Sequence, residues 1–282
     1  MRWEYLHPLN IAIPLPRRFL FDNNFMLTLP HLLLAMAAAF LAGAINSIAG
    51  GGTLVTFPAL MGLGLPAVTA NTTSTVAIWP GSLGSLWGFR QEIKRVPLRL
   101  KLLAIPSVAG GLIGAMLLRV TPAGLFEHLV PYLILFATLL FTIQAPVQKQ
   151  LNKLIQHDRK GMLWQAGAFT LQFGVGIYGG YFGAGMSIMM LTALALIGME
   201  DILEMSALTS FLSFCTNGVA SLLFIVERMV VWPYVFGMMA SALLGGWIAA
   251  KGARRVGKKV VRRFVICVGV TIAVVLLIKS GL

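Results

Sequence analysis

Residues 42–53 read Ala42-Gly43-Ala44-Ile45-Asn46-Ser47-Ile48-Ala49-Gly50-Gly51-Gly52-Thr53 and carry no charge. Consecutive glycines leave the backbone free to end a helix, turn sharply and present bare N–H groups. Inside a lipid bilayer such a backbone is tolerated only where protein or a water-filled cavity surrounds it. We therefore predict that one helix ends here and that the next begins at Thr53, with the positive end of its dipole available to an anion.

The pattern recurs in the second half of the chain as Gly176-Ile177-Tyr178-Gly179-Gly180-Tyr181-Phe182-Gly183-Ala184-Gly185. We call Gly50-Gly51-Gly52 the first break and Gly183-Ala184-Gly185 the second break. Each is followed by an apolar segment, at about 53–65 and 185–199, that is shorter than the roughly 20 residues of a membrane crossing. We expect the two breaks to face each other at the middle of the membrane and to form a pathway for a small anion.

The composition is that of an integral membrane protein. Of the 282 residues, 58% are hydrophobic and 11% are charged, and the mean hydropathy is +0.85, whereas soluble domains carry about 25% charged residues. Ten apolar segments, eight of them long enough to span, predict an all-helical transmembrane domain over residues 29–282. Residues 1–28 are expected to lie at the membrane interface as a proline- and aromatic-rich segment, not as a signal peptide.

The net charge of +13 does not indicate nucleic-acid binding, because most basic residues are confined to three short stretches. These stretches contain Arg90, Lys94, Arg95, Arg99 and Lys101, then Lys149, Lys153, Arg159 and Lys160, then Lys251, Arg254, Arg255, Lys258, Lys259, Arg262 and Arg263. Basic loops of this kind mark the cytoplasmic side of a membrane protein. We expect anionic lipid headgroups, and no nucleic acid, to be their partners.

The two halves of the chain look like inverted repeats. Repeat 1 covers about 29–146, a cytoplasmic linker covers 147–161, and repeat 2 covers about 162–282. Gly50 and Gly52 recur 133 residues later as Gly183 and Gly185. Each half holds five segments, an odd number, so the second half must be inverted. Inverted repeats with helix breaks at corresponding positions point to a transporter whose binding site lies near the midplane.

Uncharged polar side chains cluster at the breaks and in two further segments. With the glycines, they are the candidate ligands of the anion: Asn46, Gly50, Gly51, Gly52, Thr53, Asn71, Thr72, Thr73 and Ser74 in the first half, and Tyr178, Gly183, Ala184, Gly185, Ser187, Thr209, Ser210 and Asn217 in the second. Such donors hold an anion without a formal charge and release it readily. Any single Ser or Thr can instead bond to its own helix or to a neighbour, a reading that accounts less well for the two asparagines of the first half.

The remaining residues indicate transport more than catalysis. Trp79-Pro80 in the third apolar segment predicts a kink or an opening of that helix. No Asp, Glu, Lys or Arg lies in the middle of an apolar segment. The chain has no H-E-x-x-H pair and no nucleophile with an evident base. We predict that it is not an enzyme, has no catalytic residue, and binds neither a cofactor nor a metal.

Two motifs carry a family resemblance. Ala42-Gly43-x-x-Asn46-Ser47-Ile48-Ala49-Gly50-Gly51-Gly52, followed by Phe57-Pro58-Ala59-Leu60, resembles the first signature of the TauE/SafE sulfite-exporter family. Tyr178-Gly179-Gly180-Tyr181-Phe182-Gly183 resembles the signature of that family's second half. The resemblance implies a multi-pass permease of the bacterial inner membrane that moves small anions such as sulfite and organosulfonates.

Three functions follow from this reading. The favoured one is a secondary transporter that exports sulfite or a small organosulfonate by rocking of its inverted repeats. The second is a passive anion channel on the same scaffold. The third is a membrane scaffold subunit with no flux of its own. The oligomeric state stays open between a monomer and a homodimer.

Overall fold

The chain is all-helical. A computed structural model describes residues 28–48, 51–154, 162–197, 199, 201–252 and 258–279, which form thirteen α-helices and no β-strand. The first half contains α1 (Leu29–Ile48), α2 (Thr53–Gly62), α3 (Ala67–Ile78), α4 (Gly81–Gly88), α5 (Arg90–Arg95), α6 (Leu98–Lys101), α7 (Ala104–Val120) and α8 (Ala123–Leu154). The second half contains α9 (Met162–Tyr181), α10 (Met186–Leu196), α11 (Ile202–Val226), α12 (Trp232–Gly252) and α13 (Lys258–Lys279). The predicted fold class is thereby confirmed.

Several helices are long and apolar enough to cross a membrane. In the described ranges there are four such stretches: Leu29–Asn46, Leu98–Val120, Ala123–Leu140 and Leu203–Val226. This number is lower than the eight expected, and the third apolar segment shows one reason, because it divides into α3 and α4 at the predicted Trp79-Pro80 position. Helices α2 and α10 are apolar but have only 10 and 11 residues.

Two expected segment boundaries need comment. Helix α8 has 32 residues and includes residues 147–154 of the expected linker, so the linker begins as helix. Residues 155–161 of the linker, and residues 1–27 of the expected interfacial segment, lie outside the described residues.

Helix α3 is a polar helix in the centre of the protein. Ten of its twelve residues are buried, including the five consecutive polar residues 71–75. Helices α2, α8, α11 and α12 all pack on it. Buried polar groups in proteins have hydrogen-bond partners with few exceptions, so the side chains of α3 are expected to join these neighbouring helices.

Helices α7 and α9 run in the same direction and in very close contact. A Cβ atom at Gly176 would lie 2.9 Å from the carbonyl oxygen of Ser107, and one at Gly180 would overlap the carbonyl oxygen of Gly111. A step of four residues along α9 is therefore matched by a step of four along α7. Glycine lets two backbones approach this closely, as in many membrane helix pairs.

Helices α1 and α12 form a second parallel pair of the same kind. Gly237, in the first turns of α12, lies against Met36, and Gly43, further along α1, lies against the backbone of Ala242. Positions on the two helices thus advance together. A Cβ atom at Gly43 would overlap the carbonyl oxygen of Ala242, so this contact too depends on glycine.

The two parallel pairs run in opposite directions. The ends of α7 and α11 meet, because Arg119 Nε lies 3.0 Å from Glu227 Oε2. The chain then turns within residues 227–231 and returns as α12, which packs on α3 and α4 beside α11. Helix α9 therefore approaches the second break from one end of the bundle, and α1 approaches the first break from the other end.

The short helix of the first half begins at mid-depth. A Cβ atom at Gly52 would lie 2.5 Å from the carbonyl oxygen of Ala42, so α2 starts beside that residue of α1. The next residue of α1, Gly43, packs on Ala242, which is the middle residue of α12. Ten helical residues span about 15 Å, which is half of a hydrocarbon core of about 30 Å.

The short helix of the second half follows the same plan. Met186, the first residue of α10, packs on Gly179 of α9. The next residue, Gly180, lies against Gly111, near the middle of the apolar stretch Leu98–Val120. We call α1–α2 the first hairpin and α9–α10 the second hairpin. An edge-to-face contact between the rings of Phe57 and Phe182, with centroids 5.3 Å apart, links the two hairpins.

Candidate functional site

The second break exposes backbone N–H groups at the start of α10. Gly183 and Gly185 have φ values of +78° and +77°, a left-handed conformation that favours glycine. The N–H group of Gly183 closes the end of α9 on the carbonyl oxygen of Tyr178, at 3.1 Å. Within the described ranges, the N–H groups of Ala184, Gly185 and Ser187 have no acceptor. Free N–H groups at a helix N-terminus attract negative charge.

The carboxamide of Asn71 reaches this break from α3. Its Nδ2 donates to the carbonyl oxygen of Tyr181 at 3.0 Å. The residue is 1% exposed, and its Oδ1 has no hydrogen-bond partner among the described residues. An unpaired buried acceptor costs about 1–3 kcal/mol. Of the candidate side chains, Asn71 thus combines contact with the break and a free polar atom.

Two further candidates lie at the same place. Asn217 of α11 faces Gly183, because its Oδ1 lies 3.9 Å from the position of a Cβ atom on that glycine. Tyr178 Oη donates to the carbonyl oxygen of Ala184 at 2.6 Å, which fixes the turn. Helix α8 is in van der Waals contact with Gly185. The second break is therefore enclosed by α3, α8 and α11.

The first break is held by its own hairpin. Gly50 lies outside the described residues, and Gly51 has a φ value of +89°. Asn46 Oδ1 accepts the N–H group of Gly52 at 2.7 Å. Thr53 is buried at the start of α2. The amide oxygen of Asn46 is thus occupied by the backbone, and this side chain shapes the break instead of offering a free acceptor.

Three candidates on α3 connect that helix to its neighbours. Ser74 and Thr56 of α2 share a hydrogen bond between their hydroxyl groups, 2.5 Å apart. Thr72 donates to a carbonyl oxygen of the connection 229–231 at 2.5 Å, and Thr73 accepts an N–H group from the same connection at 3.1 Å. These bonds anchor α3 on either side of the Asn71 contact.

The candidates in the first part of α11 are not joined to a break. Ser210 donates to the carbonyl oxygen of Ser206 in its own helix at 2.9 Å. Thr209 is buried, and its hydroxyl group has no partner in the described part of the chain. Ser187, the second residue of α10, is half-buried beside the second break. The structure therefore groups Asn71, Tyr178 and Asn217 with the second break and leaves Thr209 and Ser210 apart.

A buried polar cluster between α7, α9 and α11 was missed by the sequence analysis. Gln172 Nε2 donates to Ser107 Oγ at 2.8 Å, and Thr216 Oγ1 donates to the carbonyl oxygen of Ser107 at 3.4 Å. All three residues are fully buried. An amide in the middle of an apolar segment is a recognisable signal for interhelical bonding, and Gln172 carries that signal.

Charge is kept away from this interior. None of the described charged side chains is in the buried class, and the ion pair of Arg119 with Glu227 has side chains that are 46% and 21% exposed. Exposed ion pairs contribute about 0–1 kcal/mol. An anion at the second break would therefore be held by neutral N–H and side-chain donors.

The apolar helices, the two broken hairpins and an uncharged polar interior define a multi-pass membrane protein of the transporter class. The family described as Sulfite exporter TauE/SafE matches residues 35–276. The chain belongs to this family.

Similar proteins agree with this class. A probable membrane transporter protein, ORF9, of Sinorhizobium sp is 30% identical over 252 residues, which cover 88% of this chain and 93% of the relative. A probable membrane transporter protein of Haemophilus influenzae is 30% identical over 239 residues, covering 83% and 90%. The probable membrane transporter protein YfcA of Escherichia coli K12 is 29% identical over 264 residues, covering 92% and 94%. No solved structure gives a significant match.

Proposed function

We propose that the protein is a secondary transporter of the bacterial inner membrane that exports a small anion, sulfite or an organosulfonate. The second break is the observation that carries this proposal, because it combines acceptor-free N–H groups with Asn71 and Asn217 at mid-depth. Neutral donors bind an anion without the desolvation cost of burying a fixed charge. The name of the matched family supports sulfite as the substrate.

The candidate residues divide into two roles in this proposal. The N–H groups of the second break, Asn71, Asn217 and the start of α2 at Thr53 bind the anion, while Asn46 and Tyr178 hold the two breaks in shape. The bonds of Thr72, Thr73 and Ser74 keep α3 in position. Thr209 and Ser210 are placed along the path to the site.

The inverted-repeat architecture is part of the proposal, and the helix contacts support it. Adding 133 residues to positions in α1, and subtracting 135 from positions in α12, converts contacts of the α1–α12 pair into contacts of the α7–α9 pair. Gly43 on Ala242 becomes Gly176 on Ser107, and Gly245 on Phe40 becomes Gly110 on Phe173. The same exchange converts the first hairpin into the second. Two similar halves that enter from opposite ends are the arrangement that rocking transporters use for alternating access.

A membrane orientation follows from the charges. We place the basic stretches on the cytoplasmic side, against anionic headgroups, and the connection 227–231 on the outer side. The two short helices then begin near the midplane and point towards opposite faces, so that each break can open to one side.

The proposal is tested by flux of labelled sulfite in proteoliposomes, with Gly185→Ala compared with Gly64→Ala. Both glycines have positive φ values, +77° and +91°, and neither has an atom closer than 3.5 Å to a new Cβ. Both variants should therefore lose about 1–2 kcal/mol of stability through the left-handed backbone. Only Gly185→Ala is expected to lose flux, by about tenfold or more, because it alone distorts the site.

Three results would contradict the proposal in different ways. Absence of sulfite flux in the native protein would favour the scaffold function. Flux that only follows the anion gradient, with no uphill accumulation under any ion gradient, would favour the passive channel. Equal flux in the two glycine variants would show that the second break is not the site.

A further inference from the structure

The free oxygen atom of Asn71 has a consequence for the substrate. The Nδ2 atom of this residue lies 3.0 Å from a carbonyl oxygen, that of Tyr181. A carbonyl oxygen accepts hydrogen bonds and cannot donate them. This contact therefore fixes the orientation of the carboxamide, and the atom left over is the acceptor Oδ1, which has no partner among the described residues.

An anion that offers only acceptors fits this site poorly. The N–H groups of Ala184, Gly185 and Ser187 can bind its oxygen atoms, but Oδ1 of Asn71 would then face another acceptor. Leaving a buried acceptor unpaired costs about 1–3 kcal/mol. A ligand that also carries an O–H or N–H group would remove this cost and bind both parts of the site.

On the basis of the proposed function, we infer that the transported ligand is a monoanion that also donates a hydrogen bond to Asn71 Oδ1. Hydrogen sulfite and hydroxyl- or amino-substituted sulfonates belong to this class, whereas the sulfite dianion, sulfate and alkyl sulfonates do not. The absence of buried charge in the described helices agrees with a monoanion, since a second negative charge raises the cost of leaving water.

The described conformation is closed around this oxygen atom, which has essentially no accessible surface. A ligand reaches it when the tip of the second hairpin moves away from α3. The link that must yield is small, since it includes the bond from Asn71 to Tyr181 and the ring contact of Phe57 with Phe182. Donation by the ligand would then stabilise the loaded state relative to the empty one.

Two sulfonates of equal charge and equal heavy-atom number test the inference. In proteoliposomes that exchange labelled sulfite, 2-hydroxyethanesulfonate and propane-1-sulfonate are compared as competitors, because they differ only in a hydroxyl against a methyl group. We expect the hydroxyl compound to compete about tenfold better with the native protein, since about 1.4 kcal/mol corresponds to a factor of ten. In Asn71→Leu the ratio should fall to about one or below.

The matched control is Ser221→Ala. Ser221 is also fully buried with an unpaired hydroxyl group, but it lies further along α11, outside the proposed site. This variant should keep the native ratio. If Asn71→Leu does not fold, the native ratio decides the matter alone, and a ratio near one overturns the inference.

The other outcomes are also decisive. Sulfite exchange with equal competition by both sulfonates overturns the inference and leaves the proposed function standing, and Oδ1 is then satisfied by a buried water or by a cation, which a sodium dependence of the exchange would reveal. No sulfite exchange overturns the proposed function and the inference together.

Discussion

At the scale of the residue, the two breaks are built differently although their glycines match. Gly52 donates to a side chain, Asn46, from the preceding helix. The corresponding position, Gly185, has a left-handed backbone and its N–H group has no acceptor within the described ranges. A satisfied N–H group has little left to offer an anion, so the second break carries more of the proposed binding than the first.

Asn46→Leu is expected to destabilise the protein by about 1–3 kcal/mol, because the N–H group of buried Gly52 loses its acceptor. Asn46→Asp keeps an oxygen atom in the same place and should remain close to the native stability. Thermal unfolding in detergent, measured for the two variants side by side, checks this difference. A loss of the same size in both variants would show that the hydrogen bond to Gly52 is not the reason.

At the scale of the element, the sequence predicts where helices stop better than what they touch. The glycine runs and Trp79-Pro80 predict the ends of α1, α3 and α9, since local backbone chemistry decides these positions. The bond from Thr72 to the connection 229–231 joins positions 157 residues apart. No local pattern encodes such a contact, and for this reason several threonines predicted as ligands turn out to anchor helices.

Helix α9 offers two glycines that separate packing from propensity. A Cβ atom at Gly180 would overlap the backbone of Gly111, whereas one at Gly174 would meet nothing within 4 Å. Gly180→Ala should push α7 and α9 apart and cost about 1–3 kcal/mol. Gly174→Ala should stabilise the protein by up to about 1 kcal/mol through helix propensity. Opposite shifts in the unfolding temperature are expected, and equal shifts would contradict the close α7–α9 contact.

At the scale of the whole molecule, the repeat and the charges can be read from the sequence, but the relation between the hairpins cannot. The offset of 133 residues aligns the glycines, and the parallel pairs α1–α12 and α7–α9 show how the two halves interlock. The sequence also treated residues 147–154 as a linker, although they continue α8. A polar helix beyond an apolar one leaves no hydropathy signal, so its length depends on packing and solvent.

Membrane orientation is the remaining property of the whole molecule that decides which way each hairpin opens. The ion pair of Arg119 with Glu227 places the connections after α7 and after α11 at one end of the bundle, and the basic stretch that contains Arg99 precedes α7 at the other end. In a variant without Cys215 and Cys267, Ala123→Cys should react with a membrane-impermeant thiol reagent in intact cells, because the positive-inside rule puts this end outside. Arg99→Cys should react only after permeabilisation, and both residues are exposed in the folded protein. Labelling of Arg99→Cys in intact cells with protection of Ala123→Cys would invert the orientation, and the second hairpin would then open towards the cytoplasm.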